Sequence, residues 1–325
     1  MTKLVTVGLP VYRRLDYLPQ ALQSLDAQDY PSIELIVSDN GMNGPRIPEI
    51  VARYYSRPYR FRQNPSTVPI AVHFNQLVDE ASGEYFILLS DDDEVSPNYV
   101  SEMVSSLERH PHASVALSRL DVMDEAGRVV RSSDERGFPL DVLSAEQFIR
   151  AWCLGEYDFV GFVTNLARTY DIREVGGYPD FPNGNGIDNA LLIKLCLNSD
   201  IAFTRRCTFR YRVYGASEGL SASYRGLAQA SRRFLEFLET DPRILEFADA
   251  QPDQWAQMRS HLVKMTWGTY YRRWVYMYRE RLTRVQWVRA AFSMPFLPAY
   301  YRRVAPTLMR AAIPERLKGL ARRFR

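Results

Sequence analysis

The chain has 325 residues, 46% of them hydrophobic and 24% charged, with a net charge of +3. Such a length supports a large hydrophobic core without covalent staples, as one α/β domain with an appendage or as two ordinary domains, and the composition excludes a disordered or disulfide-scaffold protein. Three cysteines, Cys153, Cys196 and Cys207, have neither metal-site nor disulfide-framework spacing, which predicts reduced thiols in a cytosolic compartment. Met1-Thr2-Lys3 leaves no room for a signal peptide before the first predicted strand. The small net charge conceals an asymmetry. Residues 259–325 carry 16 Lys and Arg against Glu280 and Glu315, or +14, while the rest carries 25 basic and 36 acidic residues, or −11. An acidic front and a basic tail imply different partners.

In chain order, Leu4–Leu9 reads as a buried strand ending at Pro10-Val11-Tyr12. Leu15, Leu18, Leu22 and Leu25 then recur at helical spacing. Ile33–Val37 is a second strand with the turn Ser38-Asp39-Asn40-Gly41, completing a βαβ unit. A helix over Pro45–Tyr55, a short strand at Tyr59–Arg62 and a helix over Ile70–Ala81 follow. Next comes Phe86-Ile87-Leu88-Leu89, an apolar run of the kind buried on both sheet faces, which stops at Ser90-Asp91-Asp92-Asp93. Ser96 and Pro97 suit the start of a helix, so the carboxylates are expected at a strand-to-helix junction, the sheet edge where ligands bind. Adjacent carboxylates repel one another, and a cation would relieve them; a solvated acidic loop is the plain alternative.

Tyr99–Glu108 is amphipathic, Ala113–Asp121 strand-like, and Glu125–Arg128 a hairpin turn into Val129. Ser144-Ala145-Glu146-Gln147 has the form of a capping box opening a helix to about Trp152. Phe181–Gly186 is a loop by composition, with a helix over Ile187–Leu197 behind it and Asp188 in its first turn. Ala202–Val213 reads as extended, and beyond Tyr224 the pattern is helical, with breaks at Pro242, Pro252 and later prolines. Composition places a boundary near residue 225, dividing 1–225 from a helical basic region 226–325.

These stretches together resemble the family 2 glycosyltransferases over roughly residues 3–220. The motifs are Thr6–Tyr12, Ile36–Asn40, Asn75 with Gly83–Phe86, Ser90–Asp93, Val175–Tyr178, Gly186–Asn189 and Tyr211–Ser217. The resemblance implies a GT-A fold, a Rossmann-like α/β architecture with a mostly parallel central sheet flanked by helices, carrying here a C-terminal helical, basic amphipathic extension. It also implies an inverting transfer of a sugar from a nucleotide-diphosphate donor to a hydroxyl of a glycan or lipid-linked acceptor, as in cell-surface polysaccharide synthesis. By position in the motifs, Asp92 and Asp93 would hold a divalent metal, Mg²⁺ or Mn²⁺, which suits hard oxygen ligands. Pro10, Tyr12, Asp39, Asn75, Asp91, Asp92 and Arg212 would contact the nucleotide-sugar, and Asp188 would be the general base. Ile187 and Tyr214 depart from the family's usual glutamate and histidine.

The C-terminal region places Trp255, Met258, Leu262 and Met265 at helical spacing among arginines, with Trp267, Tyr270, Tyr271, Trp274, Tyr276 and Tyr278 as an aromatic band. Ala290–Tyr301 is uncharged but too short to span a bilayer. The pattern suits an anionic membrane surface on the cytoplasmic side, or a subdomain that packs on the front of the protein or forms a homo-oligomer. No nucleic-acid-binding motif accompanies the charge, so nucleic acid is not an expected partner. Two other readings of the whole chain are a nucleotidyltransferase and a catalytically silent binding or assembly protein.

Overall fold

A computed structural model describes residues 2–133, 140–154, 166–181, 184–214 and 224–277. The first unit is strand β1 (Val5–Val11), helix α1 (Leu18–Asp26), β2 (Ile33–Asp39), α2 (Arg46–Tyr54), β3 (Tyr59–Gln63), α3 (Ile70–Glu80) and β4 (Tyr85–Leu88). After the acidic residues come β5 (Glu94–Val95), α4 (Tyr99–Arg109), β6 (Ala113–Met123), β7 (Val129–Ser132), β8 (Val142–Leu143) and α5 (Ala145–Leu154). Then follow β9 (Leu166–Arg168), α6 (Thr169–Glu174), α7 (Ile187–Cys196) and β10 (Asp200–Arg212), and finally α8 (Tyr224–Thr240), α9 (Pro242–Ala250) and α10 (Pro252–Met277).

Among the described residues the strands form one sheet in the order β3-β2-β1-β4-β9-β6-β10-β5, with β7 on β6 and β8 on β10. Its long ladders, β1–β2, β2–β3, β1–β4 and β6–β10, are parallel; the short ones are antiparallel. Because β9 runs antiparallel to both β4 and β6, the strands on either side of it point the same way, and their carboxyl ends share one edge.

Strand alternation sorts the core onto two faces. Val5, Val7, Leu9 and Val11 of β1 pack with Leu35, Val37, Tyr85 and Ile87 against α1, α2 and α4. Ile36, Phe86 and Leu88 point the other way, into a cluster with α3, α5 and α7. On that face β1 presents Gly8, where a Cβ would come within 2.9 Å of the Phe86 ring, so the small residue lets the ring lie across the strand. Phe234, Phe237, Ile244, Phe247, Trp255, Met258 and Leu262 of α8–α10 join the same cluster. The core therefore runs across the compositional boundary near residue 225.

The capping box forms: Gln147 N–H donates to Ser144 Oγ at 3.4 Å and Ser144 N–H to Gln147 Oε1 at 3.0 Å. Ser96 and Pro97 behave differently from expectation. Ser96 joins β10, its N–H donating to the Thr208 carbonyl at 2.9 Å and its Oγ accepting from Thr208 N–H at 3.0 Å, so α4 starts two residues after Pro97. The stripe Trp255–Met258–Leu262 is buried on the core. Tyr278, the arginines beyond it and Ala290–Tyr301 lie outside the described residues, as do Gly215–Ser217 and part of the Phe181–Gly186 loop. No helix among the described residues is long and apolar enough to cross a membrane.

Candidate active site

The acidic residues fill the turn between β4 and β5 at the carboxyl edge of the sheet. Strand β4 ends there because Leu89, the last buried apolar side chain, gives way to charge; its N–H still donates to the Gly8 carbonyl at 3.0 Å. The far end of the turn is held by β10. Arg212 N–H donates to Asp93 Oδ1 at 2.8 Å, and its Nε donates to the Asp92 carbonyl at 2.9 Å. The remaining guanidinium nitrogens reach Glu94 Oε1 at 2.5 Å and the carbonyls of Asp124 and Glu125 at 3.4 and 3.3 Å. Arg212 is 2% exposed. The expected diphosphate-binding arginine is thus a buried strut between the acidic turn and the β6–β7 hairpin, because a guanidinium engaged on both terminal nitrogens and Nε has no fork to offer a ligand.

Burial, and then the charge of Asp92, push the Asp91 carboxyl up to about 8, against the Tyr12 N–H that donates to it at 3.4 Å. Burial raises Asp92 too, opposed by the Tyr214 hydroxyl, which donates to its Oδ2 at 2.7 Å. Asp93 is raised well above the carboxylate range by burial and then by Asp92, and its Oδ2 is buried without a hydrogen-bond partner. All three shifts have the sign that burial and neighbouring carboxylates produce. Among the described residues no three His, Cys, Asp or Glu side chains already converge on a metal position. An orphaned buried oxygen beside hard carboxylates fits Mg²⁺ or Mn²⁺ held by one or two carboxylates and completed by phosphate oxygens and water, the usual form for these ions.

At the neighbouring edge, Asp39 is fully buried and its two oxygens accept from Gly41 N–H at 2.8 Å, Asn43 N–H at 2.7 Å and Asn43 Nδ2 at 2.9 Å. The Asn43 side chain also donates to the Tyr12 carbonyl, tying this turn to the end of β1. Gly41 is obligatory here, since a Cβ would lie 1.9 Å from that carbonyl oxygen. Asp39 therefore shapes the turn beside Tyr12. Pro10 lies in β1 opposite Ser38, and half-buried Tyr12 has the Arg13 guanidinium 5.0 Å from its ring centre.

Asn75 also has structural partners. Its Oδ1 accepts from Tyr178 N–H at 2.8 Å and its Nδ2 donates to the Tyr178 carbonyl at 2.9 Å. Gly177, at φ +65°, lets the turn come this close; a Cβ would sit 2.3 Å from Asn75 Oδ1. The clamp fixes the approach to α7, which begins after Gly186 at φ +90° and carries Asp188 in its first turn. Helix α7 packs on the sheet and turns through Leu197–Ser199 into β10, so its N-terminus lies toward the carboxyl edge. Asp188 is half-buried, and its charge adds to the burial that raises the Tyr178 phenol.

The structure thus gathers Tyr12, Asp91, Asp92 and Asp93 at one edge, with Asp39 behind them, Arg212 beneath and Asn75 on the approach to Asp188. Two contributors carried no signal in the sequence. Arg14 lies with its guanidinium 4.5 Å from the Tyr214 ring centre, and Glu94 pairs with Arg212. Neither has periodicity or motif spacing to mark it.

Residues 6–162 match the model of glycosyl transferase family 2. The putative glycosyltransferase EpsE of Bacillus subtilis is 29% identical over 139 residues, 41% of this chain and 50% of that protein, so the chain matches only half the length of that relative. Among solved structures, S. aureus TarS 1–349 in complex with UDP-GlcNAc superposes with TM-score 0.58 at 17% identity, covering 79% of this chain and 73% of that one. The mannosyltransferase PcManGT from Pyrobaculum calidifontis, in complex with GDP-Man and Mn²⁺, superposes with TM-score 0.54 at 14% identity, covering 97% and 83%. These likenesses establish the fold, the GT-A arrangement anticipated from the motifs. The match over residues 6–162, just under half of the chain, makes that part similar to glycosyl transferase family 2.

Proposed function

We propose that the protein transfers a sugar with inversion from a nucleotide-diphosphate donor to a hydroxyl of a glycan or lipid-linked acceptor, with a divalent cation at the acidic turn. The observation that carries this reading is the Asp91–Asp93 turn, pinned by Arg212 at the carboxyl edge of the sheet and retaining a buried carboxylate oxygen without a partner. Asp92 and Asp93 would hold the cation, which supplies charge stabilisation to the departing diphosphate. Tyr12 offers an aromatic wall for the base, on the turn that Asp39 braces. Asp188 takes the acceptor's hydroxyl proton as that oxygen forms its bond to the anomeric carbon. The bond from that carbon to the diphosphate breaks, and the electron pair leaves with the nucleoside diphosphate.

The complexes of TarS with UDP-GlcNAc and of PcManGT with GDP-Man and Mn²⁺ support a nucleotide-sugar donor and a metal-assisted reaction. A lipid-linked acceptor at an anionic membrane surface, as in cell-surface polysaccharide synthesis, agrees with the +14 charge of residues 259–325. Release of free nucleoside diphosphate from a nucleotide-sugar tests the reading; release of pyrophosphate would point to nucleotidyl transfer instead.

A further inference from the structure

We infer that Tyr214 is a positioning residue for the cation site, holding the Asp92 carboxylate in one orientation through its hydroxyl. The inference rests on the donor reading above and adds a residue to it.

Asp92 is gripped at both ends. Its carbonyl accepts from Arg212 Nε at 2.9 Å, and its carboxylate Oδ2 accepts from the Tyr214 hydroxyl at 2.7 Å. The phenol is itself fixed by a layered stack. The Arg14 guanidinium lies 4.5 Å from the Tyr214 ring centre, the Tyr17 ring 5.3 Å on, and the Arg212 guanidinium 4.5 Å from the Tyr17 centre. A guanidinium lies over a ring at each end, and the two tilted rings meet in the middle, so each contact is favourable. The stack joins the β1–α1 loop, which supplies Arg14 and Tyr17, to the end of β10, which supplies Arg212 and Tyr214.

A half-buried aspartate free to turn would pay the ordering cost each time a cation bound. One held by a neutral hydroxyl has that cost removed beforehand, and it keeps its negative charge for the ion. The phenol acts on the carboxylate and needs no bond to the metal. Outer hydrogen-bond partners of this kind change metal affinity by roughly 10–100-fold when removed.

The test is Mn²⁺ binding, read from the loss of the free-ion spin-resonance signal, in the full chain with saturating nucleoside diphosphate, screened over the five common bases. Tyr214→Phe keeps the ring and its stack but removes the hydroxyl. It is expected to weaken Mn²⁺ binding about tenfold or more, with unchanged thermal midpoint and unchanged nucleotide affinity in the absence of metal. In an Asp92→Asn background the same change should cost nothing further. Mn²⁺ binding within about twofold of the unaltered chain would overturn the inference while leaving the donor reading intact. A parallel fall in metal-free nucleotide affinity or thermal midpoint would also overturn it, assigning Tyr214 to packing. If the unaltered chain bound no Mn²⁺ with any of the nucleotides, the donor reading would fall together with the inference.

Discussion

His73 is 3% exposed on α3, with Nε2 at 2.8 Å from Ser38 Oγ on β2, directly below the Asp39 turn. Burial, and then the Arg62 charge, lower its pKa from 6.5 to about 4, against a smaller pull from Asp39. The imidazole is therefore neutral in the folded protein at any pH where an unfolded chain would begin to protonate it. Between about 6.5 and 4 the unfolded chain binds the extra proton, so stability is fully present above 6.5 and falls as pH drops through that window, by about 1.4 kcal/mol per unit for one group. Asp91 and Asp93, raised in the folded chain, contribute a slope of opposite sign over the same window, so the signature is a difference: urea stability of the unaltered chain minus that of His73→Gln should fall between pH 7 and 5, and a difference independent of pH would remove His73 as a source. The consequence reaches the site because Ser38 precedes the aspartate that shapes the turn beside Tyr12.

At the scale of elements, the acidic turn depends on β10 more than on its own strand. Arg212→Met keeps much of the side-chain volume but leaves Glu94, the Asp92 carbonyl and the hairpin carbonyls without their buried donor. Breaking such a pair costs about 3–5 kcal/mol, so the urea midpoint should drop sharply. A loss below about 1 kcal/mol, the range of exposed pairs, would contradict the strut. The same elements mark what was legible beforehand. Helix α3, the Ser144 capping box and the breaks at Pro242 and Pro252 were readable because their signals lie within a few residues. β5, β8 and β9 were not: each is two or three residues long and exists only through pairing with distant strands. The residue types at the site were legible, but not their partners. Asn75 and Tyr178 are 103 positions apart, and Arg212 and Asp92 are 120, so nothing local told a ligand contact from a brace.

Over the whole molecule, the helices from residue 224 share the core of the central sheet, and the stripe Trp255–Met258–Leu262, which suited either a membrane surface or a packed subdomain, is turned inward. Any contact with an anionic surface would then rest on electrostatic attraction to the basic residues of 259–325, which salt screens. The full chain should float with vesicles containing anionic lipid at moderate salt and be released as salt rises; a chain that stays soluble throughout contradicts that attachment. The acidic front and the basic tail would then divide the work, one holding the donor through a cation and the other approaching the acceptor's surface. The most direct test of this account is a panel of nucleotide-sugars incubated with the purified chain, with and without Mn²⁺, scoring release of free nucleoside diphosphate. The account predicts slow, Mn²⁺-dependent release from at least one donor, faster with acceptor, with the acceptor-stimulated part lost in Asp188→Asn and all release lost in Asp92→Asn. Donor binding without release across the panel, or near-normal transfer by the Asp188→Asn protein, would contradict it.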